Sequence, residues 1–380
     1  MVRNYHPTAW VTMVDASSDV YRRLQVHFDG FPLRFPATES GADIRLLEIL
    51  FTPEEAEIAL VLNCGYPGVF DTYESLETIH ERIEHLGYSL DDVQKHLDNM
   101  VKKGAIMGYS LDASKIYANA LLIVGIYEFQ VNKLTKEFQE VYDQYMSEAW
   151  GPANRDSTAN QIRTIPVGIK IEHENPIAKY DDIKVQFEQS TGPFSIINCI
   201  CRQSNDIRNN PCKLTDRREV CMGFGDMAGM YNEQGWGREI TKEEALGYLK
   251  QNEDEGLIFQ LNNSQEMNFV CSCCSCCCGG IIGLKSIPNP ADYTTCNYQS
   301  VIDEELCSGC GSCVDRCQME AITLENDVAI IAQKRCIGCG NCVIGCPEGA
   351  ITLVLKEDPK IPPLTTSDLY KSIVEERKKR

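Results

Sequence analysis

Basic charge is what this 380-residue chain most lacks, with 36 Lys and Arg against 55 Asp and Glu and a formal net charge of -19. Such an acidic excess repels phosphate backbones and anionic membrane surfaces, so nucleic acid and lipid headgroups are poor partners and basic protein surfaces are better ones. Long apolar runs are also missing. The strongest, residues 117–124, falls far short of the ~20 residues a membrane helix requires, so no membrane span is expected. The start, Met1 to Pro7, has no basic segment followed by an apolar one, so no secretory signal is visible and the expected compartment is cytoplasmic. No Gly-rich phosphate loop is visible either: Gly223-Phe224-Gly225-Asp226 lacks G-x-G-x-x-G spacing and follows a candidate cysteine ligand, so NAD or flavin binding is not supported. Apolar residues at 43% and charged residues at 24% exclude disorder and a coiled-coil rod.

Cysteine is abundant, at 20 residues, and unevenly placed: residues 1–198 hold Cys64 alone. A reducing compartment disfavours structural disulfides, so this density points to metal ligands. Cys64 itself reads as a small buried hydrophobe.

Punctuation along the chain predicts an α+β multidomain protein. Thr52-Pro53-Glu54-Glu55 reads as a capping box opening a helix, and Ser89 caps a second helix with Val93, Leu97, Met100 and Val101 on one face and Gly104 as its stop. A β-ribbon from Ile106 and Ile116 follows, then one long amphipathic helix from Tyr127 to Tyr145. This order resembles a winged helix over residues 1–150. Its would-be recognition helix sets Asp91, Asp92 and Asp98 against Lys95, Lys102 and Lys103, which favours a scaffold or docking role over DNA. His80 and His85 stand five residues apart and cannot share a helix face as zinc-protease ligands do.

Residues 151–295 alternate strand (164–171), helix (177–189), strand (194–199), a Thr241-capped helix and strand (257–261), which predicts a small α/β cysteine-rich domain. Pro288 and Pro290 mark a linker to a compact unit over 296–356. Pro359, Pro362 and Pro363 open a C-terminal arm over 357–380, where Ser367 is positioned to cap a short helix.

The strongest signal is an internal repeat with a period of 29 residues: Cys307, Cys310, Cys313 and Cys317 recur as Cys336, Cys339, Cys342 and Cys346, each run ending in Ala-Ile-Thr-Leu. A tight C-x2-C-x2-C loop supplies three thiolates to a cubane, and the fourth must come from elsewhere. This segment closely resembles bacterial two-cluster ferredoxins. The resemblance implies two [4Fe-4S] clusters, one on Cys307, Cys310, Cys313 and Cys346, the other on Cys336, Cys339, Cys342 and Cys317. It departs from the family at Gln318, where Pro is common. Zinc is disfavoured here, because its sites present separated C-x2–4-C pairs.

Ten further cysteines, Cys199, Cys201, Cys212, Cys221, Cys271, Cys273, Cys274, Cys276, Cys277 and Cys278, are candidate metal ligands. With the rest of the chain they resemble a group of 4Fe-4S binding proteins of anaerobic prokaryotes, which join a winged-helix-like region, a C-x-C-R segment, a C-x-C-C stretch and a two-cluster ferredoxin. That resemblance implies an Fe–S redox role without fixing a substrate. The expected central occupant is one or more further [4Fe-4S] clusters, with Cys201, Cys212, Cys221 and Cys273 or Cys274 as the leading ligand set and zinc as the alternative. Arg202 either donates to a cluster sulfur or pairs with a carboxylate.

No acid/base constellation is visible, so no catalytic residue is assigned. The leading reading is an electron-transfer protein or subunit passing low-potential electrons to or from an anaerobic oxidoreductase, with a redox protein partner and possible self-association. The alternatives are a reductase whose central centre performs substrate chemistry, and a redox-sensing winged-helix regulator.

Overall fold

The computed structural model describes residues 19–66, 69–111, 114–154, 160–167 and 178–379. The ends of the expected elements at 168–171 and Ile177, and the start Met1 to Pro7, lie outside them.

Local chemistry fixes the N-terminal helices. Thr52 accepts from the Glu55 amide while the Glu55 carboxylate accepts from the Thr52 amide, and Pro53 enters the first turn of the helix Pro53–Ala59. Ser89 caps the helix Leu90–Lys103, whose amide chain ends at Gly104 with φ 75°. Strands β1 (Glu74–Ser75), β2 (Ile106–Leu111) and β3 (Ser114–Asn119) form an antiparallel sheet of order β1-β3-β2. His80 is used locally, its Nε2 lying 3.0 Å from the Tyr88 carbonyl. Cys64 packs against the core, and burial raises its thiol pKa.

The single helix expected from Tyr127 to Tyr145 is broken. Glu128–Gln130 makes one 3₁₀ turn, Asn132 takes φ 65°, and Thr135 starts a new helix, Lys136–Tyr145, by accepting from the Phe138 amide. The cap competes with helix continuation, and the Gln130 amide satisfies carbonyls at Lys103, Gly104 and Ile126 near the break.

The central strands are β4 (Ile162–Ile165), β5 (Phe194–Asn198), β6 (Glu219–Phe224), β7 (Gly237–Ile240), β8 (Ile258–Asn262) and β9 (Phe269–Cys273). They form one sheet of order β4-β8-β9-β6-β5-β7, with every pairing antiparallel. This corrects the α/β expectation. The helix Ile200–Ile207 does not return the chain in parallel, because the irregular stretch 208–218 reverses it so that β6 runs antiparallel beside β5. One sheet face buries Ile196, Met222, Phe224 and Val270 with the helices Ile183–Gln189 and Lys242–Asp254. The other face carries Ile197, Cys221, Phe269 and Cys271 toward the N-terminal core.

The last unit has two antiparallel ribbons, β10 (Tyr298–Ile302) with β13 (Ile351–Leu355), and β11 (Ile322–Glu325) with β12 (Val328–Ile331). The segment expected as an arm folds back instead. Thr365, not Ser367, caps the helix Thr366–Lys378, which buries Leu369, Tyr370 and Ile373 in the N-terminal core. That core also crosses the expected seam at Trp150, where Phe129 stacks on Trp236 at 4.6 Å. No helix among the described residues is long and apolar enough to cross a membrane.

Candidate iron–sulfur and metal centres

The two C-terminal repeats bring their cysteines together in crossed sets. Cys307, Cys310, Cys313 and Cys346 line one cavity, and Cys317, Cys336, Cys339 and Cys342 line a second. The short helices Ser312–Arg316 and Asn341–Ile344 carry the third cysteine of each run, and the fourth follows on the far side, next to the other loop. Glycine permits these loops. Gly338 has φ 71°, and a Cβ there would lie 2.2 Å from the Tyr298 carbonyl oxygen and 2.6 Å from the Cys296 sulfur. Gly338→Ala is therefore expected to release the second set while sparing the first, read as loss of about four of the eight irons two cubanes contain.

Several donors reach the second set. The Ser300 hydroxyl lies 3.2 Å from the Cys342 sulfur and 3.8 Å from that of Cys336, and the Ala321 amide donates to the Cys317 sulfur at 3.2 Å. Burial pushes Cys342 up to about 11 and Cys339 well above its ordinary value, so binding to a metal must drive their ionisation. Donors to sulfur favour the more negative, reduced state. Ser300→Ala is expected to lower the potential of this centre by on the order of tens of millivolts, measured by redox titration. Cys296, which the repeat pattern does not reveal because it stands outside both runs, is buried and donates to the Gly338 carbonyl at 3.7 Å. It supports the ligand loop from behind.

The ten central cysteines separate into two groups, and the expected set of Cys201, Cys212, Cys221 with Cys273 or Cys274 is not the one assembled. Six form a closed ring of neighbours: Cys199 with Cys201 and Cys221, Cys221 with Cys271, Cys271 with Cys273, Cys273 with Cys278, and Cys278 with Cys201. Backbone geometry explains the ring. The pairing Met222↔Val270 sets Cys221 opposite Cys271 one step further, and Cys273 shares the Cys271 face by the two-residue period of a strand. Cys199 and Cys278 are the N-caps of the helices Ile200–Ile207 and Gly279–Ser286, whose positive ends favour thiolates. Hydrogen bonds from ring neighbours lower Cys199, Cys271 and Cys278, and the same bonds raise Cys201, Cys221 and Cys273. The other four, Cys212, Cys274, Cys276 and Cys277, have ligand atoms all within 4.8 Å of one another.

Arg202 lies between the groups, 0% exposed, with Nη1 donating to the Ser272 carbonyl at 3.1 Å. Burial alone would lower its pKa, but the sulfurs of Cys199, Cys274, Cys212 and Cys221 reverse that and raise it. Among the described residues no carboxylate pairs with it. Gln318 also gains a purpose: its Oε1 accepts from the Ser275 amide at 2.7 Å and its Nε2 donates to the Gly256 carbonyl at 2.5 Å, tying the ferredoxin loop to the central domain. Proline could do neither. Asn341 adds a bond to the same Gly256 carbonyl at 2.7 Å, and the Val167 amide donates to the Cys339 carbonyl at 3.0 Å.

Residues 306–351 match the 4Fe-4S dicluster domain family. A comparison with curated proteins finds none that matches the chain. The domain match makes this a 4Fe-4S-binding protein, and iron–sulfur electron transfer is the chemistry such a domain carries.

Proposed function

We propose that the protein is an electron-transfer component that passes low-potential electrons between a redox partner, or a larger anaerobic oxidoreductase, and its own central cysteine domain. The single observation that carries this reading is one buried apolar cluster in which Cys273, Cys271 and Cys278 of the six-membered ring pack with Cys317, Cys336 and Cys339 of the second ferredoxin set. When bound, [4Fe-4S] clusters supply reversible one-electron transfer with no open coordination position. The residues do the rest. The exposure of Cys310 supports the first set as the partner-facing end. The second set lies inside, under Ser300 and Cys296, and the six-membered ring lies beyond it as the third centre.

Residues 1–150 serve this scheme as a winged-helix-like docking scaffold, with 151–295 as the cysteine domain and 296–356 as the ferredoxin domain in a cytoplasmic protein. On the helix Leu90–Lys103, Lys103 is engaged by buried Glu55 and the exposed Lys95 lies 3.7 Å from Asp92, while Asp91, Asp92 and Asp98 offset its positive charge, which suits protein docking better than phosphate binding. The acidic surface favours a basic partner.

Anaerobically purified full-length protein tests the reading. Iron and acid-labile sulfide are expected to exceed the ~8 of each that two cubanes hold, and the fully reduced protein should show magnetic coupling between the second set and the central centre. Iron that stops at about eight with no coupled signal would overturn the relay.

A further inference from the structure

Four thiols that gather tightly can hold either one metal ion or a cubane, and their spacing tells the two apart. A single zinc-class ion bonded to sulfur at about 2.3 Å sets its ligands about 3.8 Å apart along each tetrahedral edge. A cubane places four irons between its ligands and spreads them to roughly 6 Å or more. In the quartet, Cys212 lies 3.7 Å from Cys274 and 3.7 Å from Cys276, Cys274 lies 3.5 Å from Cys276, and Cys276 lies 3.7 Å from Cys277. The same fold supplies an internal control: among the described residues the quartet is a group of ligand atoms all within 4.8 Å of one another, and neither ferredoxin set closes to that spacing.

The local chain is built for the short edge. Amides of Cys277 and Cys278 both return to the Cys274 carbonyl, at 3.4 and 3.0 Å, so one tight turn delivers three sulfurs to one side. Cys212 arrives from the irregular stretch after Pro211. Adjacent residues such as Cys276 and Cys277 cannot occupy two corners of a cubane easily, but they reach two corners of a mononuclear tetrahedron.

A second observation points to bound anionic charge. Arg202 is fully buried, its Nε and Nη2 have no hydrogen-bond partner of their own, and it lies between Cys199 and Cys221 of the ring and Cys274 and Cys212 of the quartet. A guanidinium without a carboxylate is costly in an apolar interior unless other anions face it. A divalent ion held by four thiolates is a dianion and meets that need, whereas four neutral thiols do not.

We propose that Cys212, Cys274, Cys276 and Cys277 bind a single tetrahedral metal ion, of the zinc or mononuclear iron class, with Arg202 as its buried counter-ion. This site is separate from the six-membered ring and stands whether or not the ring relays electrons. Its fixed tetrahedron braces the turn that leads directly into Cys278 of the ring.

X-ray absorption at the zinc and iron edges, with metal and sulfide counts on the full-length anaerobic protein, decides the matter. Wild type is expected to hold one zinc in an all-sulfur shell, or one iron with rubredoxin-type absorption, and the two edges distinguish these. Cys276→Ala should lose one metal per chain with sulfide unchanged, and Arg202→Met should lose that metal to a chelator at least tenfold faster, with Arg202→Lys retaining it. Loss of about four irons together with about four sulfides in Cys276→Ala would overturn the proposal, as would wild type whose quartet thiols are all alkylated in the folded state. The wild-type edge spectra decide even if a variant fails to fold.

Discussion

Cys317→Ser is expected to remove the cluster associated with Cys336, Cys339 and Cys342 while the one beside Cys307, Cys310 and Cys313 survives. Sequence proximity alone predicts the reverse, since Cys317 follows the first triplet directly. The fold crosses the chain: Cys317 lies on the cavity of the second set, and Cys346 on that of the first. Serine keeps the volume but replaces a soft thiolate with a poor iron ligand, so about half of the ferredoxin iron should be lost or converted to a three-iron form. The Ala321 amide, which donates to the Cys317 sulfur, would lose its acceptor as well. Site-resolved Mössbauer or EPR spectra of the variant separate the outcomes. Damage confined to the first set would refute the crossed assignment and with it the order of centres leading to the central domain.

The ferredoxin repeat was legible because its ligands come from short loops whose spacing is dictated by the cluster, and the glycines stand where a Cβ would meet backbone. Capping boxes at Thr52 and Thr241 were legible for a similar reason, each being closed within four residues. The central site was not, because its grouping depends on strand register. Cys221 and Cys271 meet only after β6 pairs with β9, fifty residues apart in sequence, and nothing local announces that pairing. Along this stretch the first change of group falls between Cys273 and Cys274, where β9 ends and its two-residue alternation gives way to a turn, and Cys278 beyond the turn returns to the ring. Zinc stood as the alternative for the central cysteines, but nothing in their spacing set Cys212 with Cys274, Cys276 and Cys277. Strand and helix alternation suggested an α/β domain, and no local signal announced that the stretch 208–218 reverses the chain so that β6 runs antiparallel beside β5.

The C-terminal helix carries the largest expected effect on stability. Tyr370 is 2% exposed, stacks on Tyr66 with ring centroids 4.4 Å apart, and accepts a hydrogen bond from Gln161 at 2.8 Å, so it joins the N-terminal core to the start of the central sheet. Leu369 and Ile373 flank it in the same core, and Arg377 holds the end of the helix by donating to the Phe31 and Asp29 carbonyls at 2.7 and 3.1 Å. Tyr370→Ala removes a large buried ring and leaves a cavity, which costs about 3–5 kcal/mol. Tyr370→Phe keeps the stack and loses only the phenolic bond, a cost of about 1 kcal/mol. Anaerobic denaturant unfolding followed by tryptophan fluorescence should rank the two variants in that order, with the signals of the two ferredoxin sets at zero denaturant unchanged in both, because this helix lines neither of their cavities. A Tyr370→Ala stability within about 1 kcal/mol of wild type would mean that the helix contributes little to the core it covers.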